Sequence, residues 1–424
     1  MGDIAHKRSH RTAGLLLSIA ILVGAGGYRA AWADSAPVPL LATGKPATWW
    51  IVFKFNAGAF PGCDGGVARA CTFGGKVQGY PSFGEQFALA SDQHSTLEKG
   101  TGCNGETLTD PLGATFDEVY NGNFHYVLWN DQFYDDPPIA GCTKQCGSPW
   151  GHSKGMVAWN DGGDGFVLQV STPSWPAAGS HSHPRQSDGN TLGCVADNDV
   201  LVSQHFFALK LTKVDLIKVL QALGNASVVT DPGNLQIVSN GGPAEVQTLV
   251  GKLGKRSTST TATMVTLSSG VRLISKPSAV HVPPWQLVSA ELGGVPLRAA
   301  TWWANPKIPT TTGSTHIDCW DTQLGTAGAV EIATSGRWET KSLGLIGTAS
   351  ASGNHAKIGV STDSSSDLAI FGDLNQQGAI SGPADNCKRS QNGRGGLFYV
   401  VKDHGLATSV GALIAGDTAP TDSR

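Results

Sequence analysis

The chain has 424 residues, 40% of them apolar and 15% charged, with a formal charge of −3. This balance excludes an intrinsically disordered chain, which combines low apolar content with high net charge. The length allows two or three domain-sized units, and 55 glycines with few helix-forming stretches favour a β-rich, loop-rich architecture.

Taken in order, residues 1–33 read as a secretory signal. Lys7, Arg8 and Arg11 form its basic region, residues 15–23 its apolar core, and Ala31-Trp32-Ala33 an A-x-A cleavage site. The apolar core is too short to span a bilayer, and no later run qualifies, so the expected product is secreted or periplasmic with no membrane anchor. Those 33 residues hold four of the basic side chains and Asp3. The remainder therefore has 26 Lys and Arg against 32 Asp and Glu, a formal charge of −6. It also keeps ten histidines, which would carry it to +4 when protonated. A polyanionic partner is thus better accommodated in acid than at neutrality. All eight cysteines follow the signal, and an even number in an exported chain argues for disulfides. Cys63/Cys71 and Cys142/Cys146 are the short-loop candidates. No C-x-x-C occurs, which weighs against a zinc site.

Residues 47–55 (ATWWIVFKF) form an apolar run of strand character, with Lys54 either snorkelling at its end or facing a phosphate. Residues 61–81 are a Gly-rich loop. Residues 124–129 form a further strand, leading into Asn130, Asp131 and Gln132, a polar run that either supports the site or makes a turn at the strand end. Asp135-Asp136 before two prolines reads as a solvated turn, and His181 and His183 as loop side chains that are solvated or contact DNA phosphates rather than a metal. Thr212 and Asp215 make a capping box for a helix ending at Gly224, and Pro243 opens a second helix. The polar run 257–261 marks the expected junction between a first half, 34–256, and a second half, 257–424. Residues 264–268 and 271–275 read as a hairpin. Residues 297–303 echo residues 49–55. Residues 387–396 form a basic Gly-rich loop carrying Arg394, residues 397–401 are a last strand, and the tail after His404 is expected to be weakly structured.

Two segments organise this layout. His152-Ser-Lys154 precedes an apolar strand, a polar turn and a returning strand that ends in Ser171. His355-Ala-Lys357 repeats the plan, ending in Gly372-Asp373-Leu374-Asn375. His152 and Ser171 are 19 residues apart, and His355 and Asp373 are 18 apart. In extended backbone, residues i and i+2 share a face, so each segment aims an imidazole and an ammonium into one space. An imidazole can attack or move a proton while the cation holds an oxyanion.

H-x-K followed by G-x-x-N resembles the phospholipase D superfamily, and the finer resemblance is to the deoxyribonuclease II family. It is carried by WWIVFK (49–54), LWNDQ (128–132), GHSKG (151–155), VSTP (170–173), TLGC (191–194), DCW (318–320), NHAK (354–357), GDLN (372–375) and GRGG (393–396). The resemblance implies a mixed α+β and α/β fold, with two phospholipase D-like β-sheet halves packed as an intrachain pseudo-dimer flanked by helices. It implies a metal-free, cofactor-free site that cleaves DNA, double-stranded included, through a phosphohistidine, leaving 3′-phosphate and 5′-hydroxyl ends. His152, Lys154, His355, Lys357, Asn375, Asp373 and Ser171 are the expected catalytic set, with Lys54, Asn130 and Arg394 toward the substrate. No protein partner is required, and a homodimer is compatible. The first half departs from the pattern, because Pro173 stands where an Asn is expected and Asp373 takes the place of a Ser in the second. A phospholipid-cleaving enzyme of the same fold and a non-catalytic secreted binding protein are the rival readings.

Overall fold

The computed structural model describes residues 35–60, 86–105, 107–186 and 201–421. The expected signal, the loop holding Cys63 and Cys71, and Cys194 lie outside the described residues. The first elements are β1 (Leu40–Ala42), β2 (Lys45–Pro46), β3 (Trp49–Lys54), β4 (Phe87–Ser91), β5 (His94–Lys99), α1 (Pro111–Tyr120), β6 (His125–Asn130), β7 (Lys154–Trp159), β8 (Gly165–Val170), β9 (Gln204–Leu211), α2 (Lys213–Asn225), β10 (Val238–Ser239) and α3 (Ala244–Val250). They continue with β11 (Thr263–Thr266), β12 (Arg272–Lys276), α4 (Pro284–Glu291), β13 (Leu297–Ala300), β14 (Val330–Ile332), β15 (Ser335–Trp338), β16 (Lys341–Gly344), β17 (Ile358–Ser361), β18 (Leu368–Gly372), α5 (Ala384–Cys387), β19 (Gly396–Lys402) and α6 (His404–Leu413).

The fold is mixed, with two large sheets and few helices. An eight-stranded sheet runs β10-β6-β7-β8-β9-β3-β4-β5, and a seven-stranded sheet runs β11-β12-β19-β18-β17-β13-β14. Six strands of the first, β6-β7-β8-β9-β3-β4, have positional counterparts in β13-β17-β18-β19-β12-β11, all antiparallel. The counterpart of β3 is therefore β12, and that of β13 is β6. This corrects the expectation that residues 297–303 echo residues 49–55: a shared apolar pattern does not specify a place in a sheet.

Central strands are apolar on both faces because both faces are covered. β3, β7 and β8 are buried throughout. The sheets meet through β9, β18 and β19, where Phe207 stacks on Phe371 at 4.9 Å and packs against Tyr399 at 5.4 Å. The capping box of α2 forms as expected, with Thr212 and Asp215 each satisfying the other's backbone N–H. The hairpin β11–β12 also forms, as does the Cys142–Cys146 disulfide, accompanied by Cys319–Cys387. The tail after His404 is not weakly structured. It forms α6, capped by Asp403 on Leu406 N, and buries Leu406, Val410 and Leu413. Helix α1 carried an unread signal, the Asp110 N-cap followed by Pro111 at the first turn.

Candidate active site

Both H-x-K segments end at one cleft of about 400 Å³, lined in part by Asp131, His152, Ser171, Trp302, His355, Lys357, Asn375, Gln377 and Arg394. Strand β7 begins at Lys154 and β17 at Ile358, so the imidazoles stand just ahead of their strands. The short extended lead-in gives them reach, and the paired strand behind fixes them.

The centre of the network is Asp131, one residue beyond β6 and almost fully buried. Its Oδ2 accepts from His152 Nδ1 at 2.9 Å and from Arg394 Nη2 at 2.8 Å, and its Oδ1 accepts from Lys154 Nζ at 2.6 Å. Burial alone would raise this carboxyl, but His152, Lys154 and Arg394 outweigh it and hold the group well below the usual carboxylate range. His152 is pushed well below the ordinary histidine value. Burial is the main cause, with Lys154 and Arg394 acting in the same direction and Asp131 against. The neutral imidazole is thus the resting form, and its proton lies on Nδ1, facing the carboxylate.

The opposite nitrogen is fixed independently. Gln377 Nε2 donates to Ala304 O at 3.1 Å and Asn305 O at 3.2 Å, which turns its Oε1 toward Asn375. Asn375 Nδ2 donates to that oxygen at 3.3 Å and lies 3.3 Å from His152 Nε2. His152 Nε2 is therefore an acceptor with its lone pair in the cleft.

The second imidazole has a different partner. His355 Nδ1 lies 3.4 Å from Gln204 Nε2, while Gln204 Oε1 accepts from Ser171 Oγ at 2.5 Å. Trp302 packs edge-on against the His355 ring at 4.4 Å, and His355 N donates to Ser203 O at 2.8 Å. Lys357 is buried at the cleft wall, its backbone N–H donating to His205 Nδ1 at 3.2 Å. His205 is held neutral by burial, with the Lys357 charge acting in the same direction.

Ser171 and Asp373 occupy matching places. Ser171 Oγ accepts from His205 N at 2.9 Å, and Asp373 Oδ2 accepts from Leu397 N at 2.9 Å. Each closes the ladder to the neighbouring strand, β9 or β19. Ser171 faces the cleft, whereas Asp373 turns inward, accepting from Gln169 Nε2 at 3.0 Å. Burial pushes its carboxyl up to about 7, against hydrogen bonds from Ser153, Leu397 and Gln169 and the Lys154 charge.

Of the other expected residues, Arg394 lines the cleft, and its Nε and Nη2 also hold Trp150 O, Cys146 O and Gly151 O. Lys154 lies behind Asp131, not at the cleft surface. Lys54 does not line the cleft; it is buried, and its Nζ donates to Val202 O at 2.8 Å. Its positional counterpart Lys276 does the same, donating to Arg394 O and Asn392 O at 2.8 Å, and burial lowers it to about 7. Asn130 is also buried away from the cleft, holding Trp175 O at 2.9 Å and Gln132 N at 2.8 Å. Gln204 and Trp302 have no role in the sequence reading. Asp131 enters it only as part of the polar run after β6, either a support for the site or a turn at the strand end. Among the described residues, no group of three His, Cys, Asp or Glu side chains is placed to hold a metal ion.

A sequence profile described as deoxyribonuclease II matches residues 41–415, nearly the whole described chain. The chain belongs to the deoxyribonuclease II family. It is also 26% identical over 155 residues to "Cell-death-related nuclease 7" of Caenorhabditis elegans. That match covers 36% of this chain and 35% of the relative, so this deoxyribonuclease II family member aligns with about a third of that protein's length.

Proposed function

We propose that this deoxyribonuclease II family member is an endonuclease that hydrolyses DNA phosphodiester bonds, duplex DNA included, with His152 as nucleophile and His355 as proton carrier. The observation that carries the reading is the pair of opposed partners at the two His152 nitrogens: a buried carboxylate at Nδ1 and the Asn375 amide nitrogen at Nε2 in the cleft. A neutral imidazole fixed this way is an attacking group.

In the first step Nε2 attacks phosphorus and the P–O5′ bond breaks. His355, as imidazolium, gives its proton to the departing 5′-oxygen. In the second step His355, now neutral, takes a proton from water, whose oxygen attacks phosphorus as the P–N bond breaks. The products are a 3′-phosphate and a 5′-hydroxyl. Lys357 and Asn375 face the phosphoryl oxygens and stabilise the charge that develops there, so the mechanism is metal-independent. Lys154 and Arg394 act through Asp131, which they keep ionised. Family membership and the shared strand order of the two sheets support a phospholipase D-like intrachain pair meeting at this cleft. The Cys142–Cys146 and Cys319–Cys387 disulfides support export, and no helix of the described residues is long and apolar enough to cross a membrane.

The test is degradation of duplex DNA in the presence of EDTA across pH 4 to 8. Cleavage in acid, unaffected by chelator and yielding 3′-phosphate ends, is expected. Hydrolysis of phospholipid without DNA cleavage, or loss of activity on chelation, would overturn the reading.

A further inference from the structure

We propose that Gln204 is the positioning residue that lets His355 both release and accept a proton; this rests on the two-histidine reading given above. The inference begins from unlike partners at matching atoms. His152 Nδ1 faces a carboxylate, which only accepts. His355 Nδ1 faces an amide, which accepts at one end and donates at the other.

The surroundings of Gln204 satisfy both orientations of that amide. In the structure, Nε2 points to His355 Nδ1 at 3.4 Å and Oε1 takes the Ser171 hydroxyl proton at 2.5 Å. This suits a neutral His355 with its proton on Nε2. If the amide turns over, Oε1 accepts from the Nδ1–H of the imidazolium and Nε2 donates to Ser171 Oγ. The Ser171 proton then has another acceptor in place, His205 O at 3.3 Å. His205 N, donating to Ser171 Oγ at 2.9 Å, is unaffected. Gln204 is fully buried, so water does not compete for its bond with Ser171. Asp131 fixes a proton on His152, whereas Gln204 accommodates His355 with or without one. A residue that is acid in one step and base in the next needs that tolerance. Among the described residues, the charged or titratable groups sharing the cleft with His355 are Lys357, His152, Asp131, Arg394 and Tyr134. His205 lies behind Lys357. The neutral change Gln204→Met adds no charge to this set.

The test uses Gln204→Glu and Gln204→Met in the full chain. The Glu side chain offers only acceptors to Nδ1 and holds the proton on His355. The alkaline limb of the pH–rate profile should move up by about one unit or more. In acid, the second step should slow by roughly 10²-fold or more, so that phosphohistidine on His152 accumulates to a large fraction of the enzyme in quenched time courses. The Met side chain removes both orientations of the contact, and because a hydrogen bond to the imidazolium is worth more than one to the neutral ring, the same limb should move down. A residue acting only through packing would lower the rate in both variants without moving the limb. Parental limbs in both variants, or no rise in phosphohistidine in Gln204→Glu, would overturn the proposal while leaving the two-histidine reading intact. A parent that never phosphorylates His152 would instead sink that reading. Should the Glu variant fail to fold, the downward limb in Gln204→Met decides alone.

Discussion

Asp131→Asn is the most informative single substitution at this site, because the structure says what each neighbour does next. Arg394 stays seated on Trp150 O, Cys146 O and Gly151 O. Lys154 loses its carboxylate, and its Nζ already lies 3.5 Å from His152 Nδ1. The ammonium becomes the donor to Nδ1, and the imidazole proton moves to Nε2, where the lone pair was. A hydrogen bond to a charged group contributes about 1.5–3 kcal/mol. Losing one that favours the attacking tautomer and gaining one that favours the other shifts the balance by about 3–6 kcal/mol, or roughly 10²–10⁴-fold in rate. Breaking a buried ion pair from one side also destabilises the fold by about 3–5 kcal/mol. The assay is single-turnover cleavage of an oligonucleotide duplex, with thermal unfolding followed on the same preparation. Adding Lys154→Met to Asp131→Asn removes the competing donor and should recover about tenfold in rate over the single variant. Folded Asp131→Asn with activity within tenfold of the parent would refute the tautomer argument, as would a double variant slower than the single one.

Further outcomes follow from the same geometry. His152→Ala and His355→Ala should each remove nearly all turnover, and Lys357→Ala should lower kcat on the order of 10²-fold, in steady-state assays on duplex DNA. The pH–rate profile should peak in the acid range, roughly pH 4.5–6, because burial keeps His152 neutral well below the ordinary histidine value while His355 must be protonated. A profile peaking above pH 7 would contradict it. Lys54→Met should leave the KM for DNA within about twofold while lowering Tm, since Nζ serves a backbone carbonyl. Asp373 lies near 7, above its unfolded value, so its stabilising contribution is complete below about pH 4 and is lost as pH rises through 7. By the rise from 3.8 to about 7, that loss is on the order of 4 kcal/mol. Asp373→Asn should therefore gain stability relative to the parent between pH 4.5 and 7.5 in chemical denaturation, and parallel profiles would exclude the assignment.

The sequence made the strands and the two H-x-K segments legible because both are local patterns. Apolar runs bounded by polar turns located β3, β6, β7, β8, β17, β18 and β19 to within a few residues, and the Thr212/Asp215 box located α2. What it could not show is which residues from distant strands converge. Asp131 and His152 are 21 positions apart, Asp131 and Arg394 are 263 apart, and Gln204 and His355 are 151 apart. No spacing rule links such pairs; strand order does. Lys54 illustrates the converse. A lysine within an apolar run suggests a ligand, yet here it closes the backbone at the start of β9, as Lys276 does at β19. The matching lysine in the other sheet gives the structural reading its weight.

Paired strands bring two like segments to one place, but like segments alone would make a site of two equivalent histidines, each with the same preference for its proton. The proposed two-step hydrolysis requires one imidazole whose lone pair is always presented and one whose proton is exchangeable. On that proposal, the residues behind the cleft separate the two roles. On the side of His152, Asp131 accepts at Nδ1, and Asn375, its amide oriented by Gln377, places Nδ2 3.3 Å from Nε2. On the side of His355, Ser171 stands where Asp373 stands in the other half, and its hydroxyl can give or take a hydrogen bond with Gln204. The departure from the Asn pattern at Pro173 belongs to the same division. Among the described residues, the Asn that lines the cleft is residue 375 of the second half, and it meets His152. The exchange of Ser and Asp between matching positions is thus not a degraded repeat. It leaves a hydroxyl beside the amide of Gln204, and a buried carboxyl that accepts from Leu397 N and Gln169 Nε2.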